Sequence, residues 1–329
     1  MLENQTFGRD PDALGEVLLS IVVPVFNEAD AVRAFLEGLN ASLRASWPDG
    51  QTPPRIEIIF VDDGSTDGTS AVVRALRKGD ERIKLVTLSR NFGKEAALSA
   101  GLDAASGDAA IPMDVDLQDP PDLIRPMVEK WLGGAKVVNA RRADRSADSF
   151  MKRASSRLFY RAISLLSDFR IADDVGDFRL LDRDALDVLN QMTEHTRFNK
   201  GLFSWIGFAT ETVEYVRPDR QVGKTKWKFF KLVNLALDGI TSSTTLPLRI
   251  WTMLGALVFL GALAYTAFLV FYTLMHGADV PGYASLMVAV LLLGGLNLLS
   301  LGLIGEYLGR VAIQVRGRPL YVIENRDGF

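Results

Sequence analysis

The 329-residue chain has no cysteine and only two histidines, His195 and His276. Disulfides, thiolate catalysis and cysteine-based zinc sites are thereby excluded, and so is a histidine cluster. A catalytic metal would have to be held by carboxylates, a donor set that suits Mg2+ or Mn2+. Basic charge is not in excess: 37 Lys and Arg stand against 40 Asp and Glu. That balance argues against nucleic acid as a partner. No GxGxxG follows a strand pattern, no GxxxxGK precedes a Ser or Thr, and no GxSxG elbow occurs. Dinucleotide oxidoreductases, P-loop ATPases and Ser-His-Asp hydrolases lose their support accordingly. Internal repeats and long low-complexity stretches are absent. The first residues, MLENQTFGRDPDALGEV, are polar and acidic. They lack a basic region followed by an apolar one, so no signal peptide is expected and the first domain is expected to stay in the cytoplasm.

What is present changes character along the chain. Up to about Asp182, short β-branched runs alternate with helical stretches. The runs are Leu18–Val25, Ile56–Val61, Ile83–Leu88, Ala109–Met113 and Lys136–Asn139. Between them, Ala29–Ser46, Thr69–Lys78, Lys94–Ala105 and Pro121–Lys130 read as helices. This alternation predicts an α/β domain with a mostly parallel sheet covered on both faces. Ligands of such sheets bind beyond the carboxyl ends of the strands.

The last third is apolar. Leu248–Met275 and Tyr283–Ile304 are each long enough to cross a bilayer, which takes about 20 residues. The loop between them, His276–Gly282, has no Lys or Arg, whereas Lys224, Lys226, Lys228, Lys231, Arg249, Arg310, Arg316 and Arg318 crowd the outer ends. The positive-inside rule puts both outer ends in the cytoplasm, and a multi-pass protein of the plasma (inner) membrane is expected. Over Lys224–Thr241, Phe229, Val233, Ala236 and Ile240 recur at helical spacing. An amphipathic helix at the membrane surface is one reading, and a helix packed on the soluble domain is the other. Gly302, Gly305 and Gly309 offer close-packing positions that would suit a homo-oligomer. The expected organisation is a catalytic domain over 1–223, a juxtamembrane helix over 224–245, a two-helix hairpin over 246–310 and a cytoplasmic tail over 311–329.

Three clusters follow predicted strands. Pro24, Val25, Phe26, Asn27 and Glu28 close the first; a ring and a carboxylate there could hold a nucleobase, although Asn-Glu is also a plain helix N-cap. Val61-Asp62-Asp63-Gly64-Ser65-Thr66-Asp67-Gly68-Thr69 closes the second. A carboxylate before a glycine turn can bond ribose hydroxyls or base edges, while Asp, Ser and Gly also make ordinary turns. Met113-Asp114-Val115-Asp116-Leu117-Gln118-Asp119 follows the fourth strand. Carboxylates at i and i+2 can share a divalent cation and the phosphates it bridges; the bland alternative is a solvated acidic loop.

VVPVFNE, VDDGSTDGT and MDVDLQDPP, in this order, resemble the family 2 glycosyltransferases of the GT-A fold. Within that family the chain is similar to the polyisoprenyl-phosphate glycosyltransferases, the dolichol-phosphate mannose synthases and bactoprenol glucosyltransferases. SRNFGKE (Ser89–Glu95), GDFRL (Gly176–Leu180), RQVGKTKW (Arg220–Trp227), LALDGIT, LPLRI, LGLIGEYLGR and RPLYVI extend the likeness from Ser20 to Ile323. The QxxRW signature of processive polysaccharide synthases is missing.

The resemblance implies roles. Pro24, Phe26, Glu28, Val61 and Asp63 fall where the family contacts the nucleotide, with Phe26 at a place where Tyr is common. Asp114, Val115, Asp116 and Gln118 fall where it binds nucleotide and metal, with Asp114, Asp116 and Gln118 as the implied ligands of Mg2+ or Mn2+. Arg142 takes the place of an arginine after the fifth strand, and Ala140 replaces a frequent glycine there. Arg220 and Lys226 match the basic pair that closes over the diphosphate. Asp177 lies in a motif given a catalytic or acceptor-orienting role. The implied reaction is inverting transfer of a sugar, best read as glucose from UDP-glucose, to undecaprenyl phosphate on the cytoplasmic leaflet. GDP-mannose, UDP-GlcNAc and modified arabinose are alternative donors, and a catalytically silent membrane scaffold is the rival from another class.

Overall fold

The five expected strands and three others assemble into one eight-stranded mixed sheet. The structure, a computed structural model, describes residues 11–47, 52–142, 175–192, 194, 199–215 and 282–329, with scattered positions in 251–275. The strands are β1 (Leu18–Val25), β2 (Arg55–Asp62), β3 (Ile83–Leu88), β4 (Ala109–Pro112), β5 (Val137–Arg142), β6 (Val175–Asp182), β7 (Thr210–Tyr215) and β8 (Ile323–Asp327). Their order is β7-β5-β6-β4-β1-β2-β3-β8. Pairs β1/β2, β1/β4, β2/β3 and β5/β7 are parallel; β4/β6, β5/β6 and β3/β8 are antiparallel. The mostly parallel expectation therefore holds for the central strands, with antiparallel strands added at two places the sequence reading left empty.

The central strands are buried on both faces, which is why they read as continuous apolar runs. Leu19, Ile21, Val23 and Val25 of β1 point to one core, with Ile58 and Phe60 of β2. Helix α1 (Ala29–Ser46) covers that face with Val32, Phe35, Leu36, Leu39 and Leu43, the recurrence of an amphipathic helix. Helix α4 (Ile124–Leu132) joins it through Ile124, Met127, Val128 and Trp131, while α2 (Thr69–Arg77) lies beside α1. The expected helix Pro121–Lys130 begins as a 3-10 turn, Pro121–Leu123. The opposite face receives α3 (Lys94–Ala104), α5 (Arg183–Gln191) and α6 (Asn199–Trp205) over Val22, Ile59, Val61 and Val86. Helix α3 is rich in alanine and lies very close to the sheet: a Cβ on Gly101 would come within 2.3 Å of Val22 Cγ1 and 2.8 Å of Val61 Cγ2.

The chain divides into two compact units. The first contains the sheet and includes Pro319–Phe329; the second consists chiefly of Phe230–Arg318. The expected tail thus ends as a strand of the first unit. β8 runs antiparallel to β3, with Thr87 opposite Asn325 and Val86 opposite Arg326. Arg74 Nε donates to Asp327 at 2.8 Å, and Tyr321 Oη donates to Asp103 at 3.0 Å.

In the second unit, helix α7 spans Tyr283–Val315, beyond the expected end at Ile304. Its stretch Leu293–Val315 is the one helix among the described residues that is long and apolar enough to cross a membrane. None of that stretch is buried against protein, and Leu298, Leu301 and Leu308 are exposed. The other expected span, Leu248–Met275, is described only at scattered positions, which are helical. The expected surface helix Lys224–Thr241, with Arg220 and Lys226, lies outside the described residues.

Candidate active site

β1 has β4 on one side and β2 on the other, so the chain connections leave it in opposite directions. Such a switch point opens a crevice at the carboxyl ends of the strands. A cleft of about 310 Å³ lies there, lined by Pro24, Val25, Phe26, Glu28, Asp63, Asn91, Gly93, Lys94, Ala97, Asp114, Val115 and Asp116. Seven of the expected site residues are thereby brought together: Pro24, Phe26, Glu28, Asp63, Asp114, Val115 and Asp116.

The loops that supply them are fastened to one another. After β1 the chain turns at Asn27, whose φ is 54°. Asn27 N–H donates to Ser65 Oγ at 2.9 Å, and Thr66 N–H returns a bond to Asn27 Oδ1 at 2.9 Å. Glu28 N–H donates to Thr69 Oγ1 at 3.0 Å. Asn-Glu therefore ties two loops, beyond opening a helix. In the second loop Asp62 is a turn residue: its carboxylate accepts from Ser65 N–H at 2.8 Å and from the Ser70 hydroxyl. Asp63 reaches the other way, accepting Phe92 N–H at 2.7 Å and Gly93 N–H at 2.9 Å. Burial pushes the Asp63 carboxyl up, while those two amide bonds oppose the rise. Gly64, at φ 73°, is required here, because a Cβ would sit 2.6 Å from the Arg90 carbonyl carbon.

The acidic loop after β4 splits its carboxylates. Asp114 pairs with Lys94 Nζ at 2.7 Å, and the same ammonium lies 3.0 Å from Asp177 Oδ2 on β6. Burial disfavours the Lys94 ammonium, yet Asp114 and Asp177 overcome that and hold its pKa well above the ordinary lysine range. Asp116 is exposed, and its Oδ1 accepts Gln118 N–H at 3.1 Å. Leu117 between them has φ 53°, which bends the loop.

Four expected residues do not line the cleft. Val61 is fully buried in the apolar core against α3, so its side chain is committed to packing. Gln118 is 6% exposed and does not line the cleft. Arg142 ends β5; its Nε donates to Tyr215 Oη at 3.4 Å, and Tyr215 donates in turn to Asp119 at 2.7 Å. Burial and the neighbouring Asp119 push the Tyr215 phenol up to about 12. Asp177 is reached through Lys94. Conversely, Asn91, Gly93, Lys94 and Ala97 line the cleft without having been assigned roles, although SRNFGKE carried the signal.

Among the described residues the cleft holds four carboxylates, Glu28, Asp63, Asp114 and Asp116, and one ammonium, Lys94. That excess of hard oxygen donors fits Mg2+ or Mn2+, with phosphates completing the shell. Among the described residues no three His, Asp or Glu side chains are placed to share a metal ion. The arrangement suits a doubly anionic phosphate ester bound through a divalent cation.

Residues 20–189 match the family described as Glycosyl transferase family 2, and residues 246–311 match the GtrB C-terminal hairpin. The chain belongs to glycosyl transferase family 2. It is 48% identical, over 94% of its length and 96% of the relative's, to an uncharacterized glycosyltransferase of Synechocystis. It is 44% identical, over 93% of its length and 97% of the relative's, to an SfII prophage-derived bactoprenol glucosyl transferase of Shigella flexneri. A putative glycosyltransferase of Bacillus subtilis is 39% identical over 94% of this chain and 92% of its own.

Proposed function

We propose that this enzyme transfers glucose from UDP-glucose to undecaprenyl phosphate at the cytoplasmic face of the plasma membrane, with inversion at the anomeric carbon. The observation that carries the reading is the 44% identity to a bactoprenol glucosyl transferase across 93% of the chain, cleft and hairpin together. In this reading Phe26, Glu28 and Asp63 face the uracil, and Asp114 and Asp116 face the diphosphate. Asp63 spends one lone pair of each oxygen on the amides of Phe92 and Gly93 and keeps others for the base. A bound Mg2+ or Mn2+ supplies charge neutralisation for the departing nucleoside diphosphate. Arg220 and Lys226 close over the same group.

The acceptor phosphate is already anionic near neutral pH, since its second pKa is about 6. It attacks without a strong base. Asp177, ion-paired to Lys94, serves to orient the acceptor rather than to take a proton. Purified protein in lipid–detergent micelles, given undecaprenyl phosphate and radiolabelled UDP-glucose, GDP-mannose or UDP-GlcNAc in turn, is expected to make labelled lipid from UDP-glucose alone. Product from another donor and none from UDP-glucose would overturn the assignment.

The topology of the chain supports the membrane reading. Pro319–Phe329 belongs to the unit that contains β1 to β7, so any bilayer crossings by the segment between are even in number. Two crossings by 246–310 fit this count, and Lys and Arg flank the hairpin but not its loop. A cysteine at Ala278 is expected to react with a membrane-impermeant maleimide in intact cells, and one at Asn325, exposed on β8, only after the cells are opened. Labelling of the Asn325 site in intact cells would refute this topology.

A further inference from the structure

We propose that Lys94 is a positioning residue that joins the donor loop to the acceptor side of the site by pairing with both Asp114 and Asp177, and that its charge sets the affinity of the cleft for a divalent cation. This deepens the function proposed above and rests on it.

Lys94 opens α3, directly after Gly93, whose N–H is held at 2.9 Å by Asp63. The helix behind it is anchored: Ala96 through Leu102 are buried, and Gly101 rests on Val22 and Val61. The lysine stem therefore starts from a fixed backbone. Its ammonium then meets carboxylates from two different strand ends, Asp114 after β4 at 2.7 Å and Asp177 on β6 at 3.0 Å. It is also the one ammonium among the described residues that line the cleft.

The consequence for the cation follows from charge. Asp114 and Asp116 stand two residues apart on one loop. With Lys94 in place, Asp114 is locally neutralised, and Asp116, exposed with a backbone amide on Oδ1, is available. Without Lys94, two further carboxylates lose their counter-charge, and the cleft gathers negative potential that favours any divalent cation. Asp177 would at the same time lose the bond that fixes its direction. Removing the ammonium should thus tighten metal binding while impairing transfer, an opposition that simple loss of structure cannot produce.

The test is Lys94→Met beside Lys94→Arg in the full-length protein, with Mn2+ binding followed by electron paramagnetic resonance without nucleotide, and transfer kinetics measured separately. For Lys94→Met we expect Mn2+ to bind about tenfold more tightly, the size of one strong charge coupling. Its kcat should fall on the order of thirtyfold, with KM for UDP-glucose moving less than kcat. Lys94→Arg, which keeps the charge, should restore wild-type Mn2+ affinity. Unchanged or weaker Mn2+ binding in Lys94→Met, with wild-type binding intact, overturns the role of Lys94 alone. Equal tightening in Lys94→Arg overturns it as well, because charge would then not be the cause. Full turnover by the wild-type protein in excess chelator overturns the reading of the site itself, and this inference with it.

Discussion

Asp116→Asn is expected to lower sugar transfer on the order of a thousandfold while leaving the fold intact. The substitution keeps the size of the side chain and its Oδ1, so the 3.1 Å bond from Gln118 N–H can persist. What it removes is the negative charge that faces the cleft. Because Asp116 is exposed, no buried partner is orphaned and thermal unfolding should match the parent protein. The loss should appear in kcat/KM at every Mn2+ concentration, since more cation does not restore the missing ligand. A variant with more than a tenth of the parent activity would remove Asp116 from the cation's shell.

Glu57→Ala is expected to have the largest effect on stability, about 3 kcal/mol, because it breaks a buried ion pair and leaves its partners unmet. Glu57 is 4% exposed on β2. Its carboxylate accepts Lys84 Nζ at 2.6 Å, Ser106 N–H at 2.7 Å, Ser106 Oγ at 2.8 Å and the Ser20 hydroxyl. It thus fastens β1, β2, β3 and the turn before β4, the strands that set the cleft. Burial alone would raise its pKa, but the bonds from Lys84, Ser20 and Ser106 outweigh it and the carboxyl lies below its ordinary 4.5. The sign follows: an acid with a depressed folded pKa stabilises the fold above its unfolded value, and the contribution disappears as pH falls below about 4.5. The gap in melting temperature between wild type and Glu57→Ala should therefore be full at pH 7 and shrink as pH falls from about 4.5 through the lower folded pKa. A gap that stays constant across that range would mean that the charge of Glu57 is immaterial.

Much of the site was legible because its residues sit at the ends of strands that announce themselves locally. Each central strand is a continuous apolar run, and Asn27, Gly64 and Leu117 belong to turns whose residues follow within a few positions. The cleft could be placed from these signals alone. Other features could not be. β6 and β8 carry charged residues, as in GDFR and IENRD, and do not read as central strands. They are stable as strands because β4, β5 and β3 offer pairing edges, a property of the assembled sheet.

The sequence by itself determined the α/β class, the order of the loops round the site, the acid-rich chemistry of the donor loop and the apolar C-terminal segment, because periodicity and composition act over short separations. Tertiary structure decided which acid meets which base. Lys94 finds Asp114 twenty residues away and Asp177 eighty-three away, and only the strand order β6-β4-β1 brings those three to one place. It also decided that Val61 faces the core rather than the cleft, since a strand's side chains alternate and α3 fixes which face is covered. The return of the chain from α7 to the edge of β3 was likewise settled there, because an unpaired sheet edge selects its partner by geometry and shows little preference for side chains.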